Sequence, residues 1–128
     1  MIEELILRER QKKRQRTLCI LAVFTVVTCY LLFQVIFGIS IVEGTSMEPG
    51  IPEGSLVIYN RLVKSYEEND IVIVQMEGTS ILKRIDTIEE DRVYLLGDNL
   101  SESVDSRTFG WAEMEQIRGK VICVIRLL

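Results

Sequence analysis

The chain has 128 residues, 48% of them hydrophobic, and a formal net charge of −4, which leaves room for one small domain and an extra segment but not for two large domains. The charge is divided: residues 1–16 carry +3 and the remainder −7, and an acidic body argues against nucleic-acid binding. There is no histidine, which excludes Ser-His-Asp and Cys-His mechanisms and any His-ligated zinc site.

Residues 1–16 contain Arg8, Arg10, Lys12, Lys13, Arg14 and Arg16 and read as a basic tail, either a short helix or flexible. Such a run also suits a nucleic-acid arm, but the next segment favours a tail on the cytoplasmic side of a membrane. Residues 17–40 carry no charge. A helix over residues 17–38 is about 33 Å long, enough to cross a hydrocarbon core of roughly 30 Å. The cations before it and Glu43 after it predict a cytoplasmic N-terminus and an extracytoplasmic body. A cleaved signal peptide competes with this reading, since Gly38-Ile39-Ser40 offers a small-x-small site. Cleavable apolar cores usually run to about 7–15 residues, so the longer segment here is read as an uncleaved anchor. Cys19 and Cys29 would lie about 15 Å apart along such a helix, and Cys123 stands apart from both. No internal disulfide and no metal site are expected.

Residues 39–128 form the predicted body. Segments 55–60, 71–76, 80–88, 92–96 and 120–128 are rich in Val, Ile, Leu and Tyr, as strands are. Pro49-Gly50, Glu53-Gly54, Glu77-Gly78 and Gly97-Asp98-Asn99 are among the turns between them. The expected fold is mainly β, a small partly closed barrel or folded sheet, with one N-terminal transmembrane helix. Because no linker separates anchor from body, the body is expected to sit at the membrane surface.

Three stretches of the body carry chemistry. Ser46 lies between Gly44-Thr45 and Met47-Glu48-Pro49-Gly50, at a bend where a hydroxyl projects clear of the backbone; an ordinary turn serine fits the same residues. Lys83 and Arg84 are adjacent in a predicted strand, so they face opposite ways. One belongs to the interior, and the other faces out or meets an acidic partner. The loop from Gly97 to Gly110 is dense in short polar groups, but its spacing departs from a calcium loop.

Ser46-Met47-Glu48-Pro49, then Lys83-Arg84-Ile85, then Gly97-Asp98-Asn99 with Ser103, Asp105-Ser106-Arg107 and Gly110, all following one N-terminal anchor, together resemble bacterial type I signal peptidase. Each motif alone is weak or moderate; the specificity lies in their order. The resemblance covers roughly residues 17–126. It implies a membrane-bound serine endopeptidase with Ser46 as nucleophile and Lys83 as general base. It implies that Ser103 orients the amine, and that Arg84, Asp98, Asp105 and Arg107 brace the site as an ion-pair network. The substrates it implies are secretory preproteins with small residues at the first and third positions before the cut, taken without metal or cofactor.

The chemistry makes its own demand. With no histidine, an amine is the main candidate base for a serine. A free lysine has a pKa of about 10.4, so roughly one in 2,500 is neutral at pH 7. Bringing it near neutrality takes about 4 kcal/mol of differential stabilisation, for which desolvation is the available cause. Ile81, Leu82 and Ile85 supply apolar neighbours in sequence. The oxyanion donor is expected to be the Ser46 backbone N–H. Gly44 occupies the position two residues before the nucleophile, where some family members have a hydroxyl. An extended substrate would pair with strand edges near residues 41–44 and 81–83. Val42, Met47, Ile51, Ile81 and Leu82 are candidate walls of its pockets, although core packing would account for them equally well.

Departures from the family pattern are Gly50 in place of a frequent Thr, Ser55 in place of a frequent Asp, and Asp86-Thr87 in place of Ile-Gly. The first two predict a looser turn around Ser46. The short connection from Ile85 to Gly97 leaves no room for the family's accessory β-region, so a near-minimal catalytic core is expected. Two other functions fit part of this pattern. A non-catalytic signal-peptidase-like factor in export or pilus assembly has no need of both Ser46 and Lys83. A self-cleaving repressor-type Ser-Lys domain predicts a soluble chain with a DNA-binding module, which the apolar segment contradicts.

Overall fold

The computed structural model describes residues 1–127. They fall into two units, the first residues 1–35 and the second beginning at Ile36. The first is helix α1, Ile2–Ile36, so the basic segment continues as helix into the apolar one. α1 is long and apolar enough to cross a membrane. Its hydroxyls are satisfied locally: Thr25 Oγ1 donates to Leu21 O at 2.8 Å and Thr28 Oγ1 to Phe24 O at 2.9 Å. Bonds of this i to i−4 kind let polar side chains reside in an apolar helix.

The second unit is mainly β. Its strands are β1 (Phe37–Ile41), β2 (Leu56–Asn60), β3 (Ile71–Met76), β4 (Thr79–Glu89), β5 (Arg92–Leu96), β6 (Ala112–Glu113) and β7 (Ile117–Ile125). Helix α2 (Ser106–Phe109) and a 3-10 turn (Met114–Gln116) complete it. The strands form one antiparallel sheet in the order β1-β2-β7-β3-β4-β5-β6. The sheet does not close, and β1 and β6 are its edges. The connection from Ile85 to Gly97 is the β4–β5 hairpin, with a shift of register between Ile85 and Thr87, and no accessory β-region is inserted in it.

Phe37 and Gly38 belong to β1 and not to the helix, which ends at Ile36, two residues before the expected boundary at residue 38. An apolar β-branched run following an apolar helix has no periodicity that marks the change. Pairing decides it. Gly38 lies opposite Tyr59, and a Cβ on Gly38 would overlap the Tyr59 ring.

Residues 71–74 of β3 read as an unbroken apolar run because both faces of the strand are covered there. Val72 and Val74 join Ile85, Val93, Leu95 and Ala112 in one buried cluster. Ile73 joins Val42, Met47, Ile51 and Val57 in a second, on the opposite side. Truncating a fully buried member such as Leu95 to Ala costs about 2–5 kcal/mol. The outward face of the β1-β2-β7 end is also apolar. Ile39, Ile58 and Cys123 lie directly opposite one another, as do Ile41, Leu56 and Ile125, and directly opposed residues share a face. Ile39, Ile41, Ile122 and Ile125 are exposed.

Candidate active site

The turn that carries Ser46 is pinned on both sides. Val42 N donates to Ser55 O and Gly54 N to Val42 O, both at 2.8 Å, and Ile51 N donates to Met47 O at 2.8 Å. Met47 and Ile51 are buried in the core, so the residue after the serine acts as a fixed root. The looseness expected from Gly50 and Ser55 is not found. Ser55 is buried, and its carbonyl is one of the pins. A Cβ on Gly50 would come within 2.5 Å of Asp98 Oδ2, so the missing side chain is what admits that carboxylate.

Lys83 stands in β4 opposite Val72, a residue of the core. Its side chain is directed inward, and the residue is only 4% exposed. Lysine is rarely this buried without a partner. Here Nζ lies 2.8 Å from Ser46 Oγ. Burial pushes the Lys83 amine below its ordinary value, while the nearby Asp105 carboxylate partly opposes that fall. The separation suits either proton position: an ammonium donating to Oγ, or a neutral amine accepting from the hydroxyl.

Arg84 points the other way, as strand alternation requires. Its Nε and Nη2 donate to Asp98 Oδ1 and Oδ2, each at 2.8 Å, and Nη1 donates to Asn69 O at 3.0 Å. Arg107 Nε donates to Asp105 Oδ1 at 2.8 Å and Nη2 to Oδ2 at 2.9 Å. These are two separate bidentate pairs, not a single ion-pair network. Asp105 also caps α2, accepting from Arg107 N, and accepts from Gly97 N at 3.0 Å. Burial alone would raise the Asp105 carboxyl, but the donors from Arg107 and Gly97 outweigh it and hold it well below the carboxylate range.

Ser103 Oγ is buried beside Asp105 yet makes no aligned hydrogen bond to any described residue. It packs on Gly97, where an added Cβ would overlap the Ser103 side chain and approach Ser46 O to 2.5 Å. The absence of a side chain at residue 97 therefore lets the Ser103 loop and the Ser46 turn meet.

A cleft of about 420 Å³ opens at this place, lined among others by Val42, Ser46, Met47, Ile81, Leu82 and Lys83. Four of the five predicted wall residues line it. Ile51 does not, because it is committed to the core beneath the turn. Sequence reasoning missed Asn99. Asn99 N donates to Ser46 O at 2.9 Å, and its Nδ2 donates to Thr45 O at 3.1 Å. The only hint in the sequence is its place after Gly97-Asp98. Among the described residues no group of three or more Cys, Asp or Glu side chains could hold a metal ion.

An open antiparallel domain with a cleft holding a serine, a buried amine and braced carboxylates has the makings of a peptidase fold. The Peptidase S24-like family profile matches residues 37–122, nearly the whole β unit, and the chain belongs to that family. It is similar to mitochondrial inner membrane protease subunit 1 of Homo sapiens, at 29% identity over 70% of this chain and 69% of that protein. It is also similar to the subunit of the same name from Schizosaccharomyces pombe, at 28% identity over 71% of this chain and 74% of that protein. The resemblance to type I signal peptidase drawn from the motifs is consistent with both findings, and together they support a signal-peptidase-like function.

Proposed function

We propose that the protein is a membrane-anchored serine endopeptidase that removes N-terminal signal peptides from exported precursors through a Ser46–Lys83 dyad. The observation that carries this reading is the 2.8 Å approach of Lys83 Nζ to Ser46 Oγ, with the lysine almost wholly withdrawn from water. A desolvated amine loses its proton more readily and so serves as a base where histidine is lacking.

In the proposed reaction the neutral Lys83 amine takes the Ser46 proton as Oγ attacks the scissile carbonyl. The Ser46 N–H, which has no acceptor among the described residues, stabilises the oxyanion. The Lys83 ammonium then gives its proton to the departing amine, leaving an acyl-serine. Water, deprotonated by the amine, releases the signal peptide. Ser103 steers the amine; a buried hydroxyl with no aligned partner, set beside the Ser46 turn, supports that role. The Arg84–Asp98 and Arg107–Asp105 pairs brace the loop behind the dyad.

Precursors with small residues at the first and third positions before the cut would lie extended in the cleft. Val42, Met47, Ile81 and Leu82 supply its apolar lining. The basic N-terminal segment stays in the cytoplasm by the distribution of charge, and the catalytic unit lies outside. The apolar outer face bearing Ile39, Ile41 and Ile125 rests on the bilayer surface, where exposed apolar area is stabilised.

The test is a full-length chain in vesicles, given a preprotein with Ala at both small positions. The wild type is expected to release a product with the mature N-terminus, and Ser46→Ala none. Equal product from both would discard the enzyme.

A further inference from the structure

Two hydrogen bonds link Asn99 to the peptides on either side of the Ser46 α-carbon. Its backbone N–H donates to Ser46 O at 2.9 Å, and its side-chain Nδ2 donates to Thr45 O at 3.1 Å across 54 residues of chain. The Thr45 carbonyl belongs to the same peptide group as the Ser46 N–H. In a planar trans peptide the C=O and N–H point in opposite directions. A donor that holds the carbonyl therefore also aims the N–H.

We propose that Asn99 is a positioning residue that sets the oxyanion site by fixing the Thr45–Ser46 peptide. The inference rests on the Ser46–Lys83 reading and extends it. Thr45 O also accepts from Glu48 N at 3.1 Å, but that bond lies inside the turn and moves with it. Asn99 follows Gly97 and Asp98, and Arg84 of β4 holds Asp98 at both carboxylate oxygens. The strand that carries Lys83 is thereby tied to the peptide that would receive the oxyanion. The carboxamide also polarises the peptide it grips, since hydrogen bonds in a chain strengthen one another. On the other side of the side chain, Asn99 Oδ1 accepts from Ser101 Oγ at 3.0 Å. That bond leaves the NH2 directed at Thr45.

Two substitutions bracket the effect. Asn99→Asp keeps the shape, the backbone bond to Ser46 O and the acceptor for Ser101, but replaces the donor to Thr45 O with an acceptor and adds a negative charge; Asn99→Ala removes the donor without adding charge. Complete loss of an oxyanion donor costs roughly 10²–10³ in kcat, so a misaimed donor is expected to cost about 10–100-fold. The experiment uses the full chain in vesicles, with a preprotein bearing Ala at the two small positions. Its second readout is inhibition by a peptide boronic acid of the same sequence, whose serine adduct demands the oxyanion site. A third measures binding of an uncleavable peptide of that sequence.

The expected result is a fall in kcat with KM and uncleavable-peptide affinity held within twofold. Boronate affinity should fall in proportion to kcat/KM, and the melting temperature should not change. Asn99→Ala should follow the same pattern. If Asn99→Asp retains wild-type kcat, the inference is overturned. It is also overturned if peptide affinity and melting temperature fall along with kcat, because that marks a merely structural residue. Either failure leaves Ser46→Ala as the separate check on the enzyme itself.

Discussion

Lys83 Nζ and Ser46 Oγ lie 2.8 Å apart, although 37 positions separate them in the chain. The lysine reaches the serine from a central strand, whereas the serine stands on a turn rooted by Met47 in the core. Replacing the base while keeping its length and charge is therefore a stringent test. Lys83→Arg should remove about 10²–10⁴ of the cleavage rate, the usual worth of a general base, because a guanidinium stays protonated. Lys83→Met, which resembles lysine in length and suits the apolar surroundings, should be as inactive but no less stable. Rates are to be measured on a preprotein in vesicles.

Ser103→Ala should separate stability from activity. Its hydroxyl is buried without an aligned partner, and deleting an unsatisfied polar group is neutral or stabilising by about 1 kcal/mol. If the hydroxyl steers the Lys83 amine, cleavage should nevertheless fall about tenfold or more, within the range of general-base effects. Denaturation and rate measured on the same sample check both signs.

The Asp105 carboxylate acts on two pH ranges. Its charge raises the Lys83 amine against the effect of burial. Asp105→Asn should therefore lower the pH midpoint at which kcat/KM rises, because an ammonium without that neighbour gives up its proton sooner. The acid side has its own sign. The folded carboxyl titrates below its ordinary value of 3.8. Its stabilising contribution is thus complete above that pH and is lost as pH falls toward the folded value. Asp105→Asn should be less stable than wild type near neutrality, and the gap should narrow in acid. Rate profiles and denaturation series across pH check the two halves.

Gly50→Ala should destabilise the chain by about 1–3 kcal/mol, the usual cost of overpacking. The new methyl would press on Asp98 Oδ2, which cannot swing away freely while Arg84 grips both oxygens. In an Asp98→Ala background the same substitution should cost much less, since contacting residues couple. Chemical denaturation of the four proteins in detergent closes the cycle.

Much of the site was legible because its constraints are local. Strand alternation assigned Lys83 and Arg84 to opposite faces before any partner was known, and β3 and β5 matched their predicted bounds. The Lys83–Ser46 approach is different. Sequence order implied it by resemblance, but only the register of β4 on β3 and the root at Met47 bring the atoms together. Phe37–Ile41 was hidden because its apolar character continues that of the helix, and only pairing with β2 distinguishes it. Ile51 looked like a wall residue because hydrophobicity does not say whether a side chain lines a cleft or fills the core beneath it. Asn99 escaped because its bonds go to backbone carbonyls, and acceptors of that kind leave no mark in side-chain patterns. The resemblance implied one network of Arg84, Asp98, Asp105 and Arg107, but the order of charges along a chain does not say which of them meet.

The central claim is that Lys83 is neutral when it takes the Ser46 proton, and the most direct measurement is the titration of its amine. In the full-length chain, selectively labelled at lysine nitrogen and held in micelles, the Lys83 signal is identified by its absence in Lys83→Met. Its midpoint is then compared with that of the rise in kcat/KM. The two midpoints are expected to coincide, below the ordinary value of a lysine amine. A Lys83 amine that remains protonated throughout the pH range of full cleavage would contradict the claim.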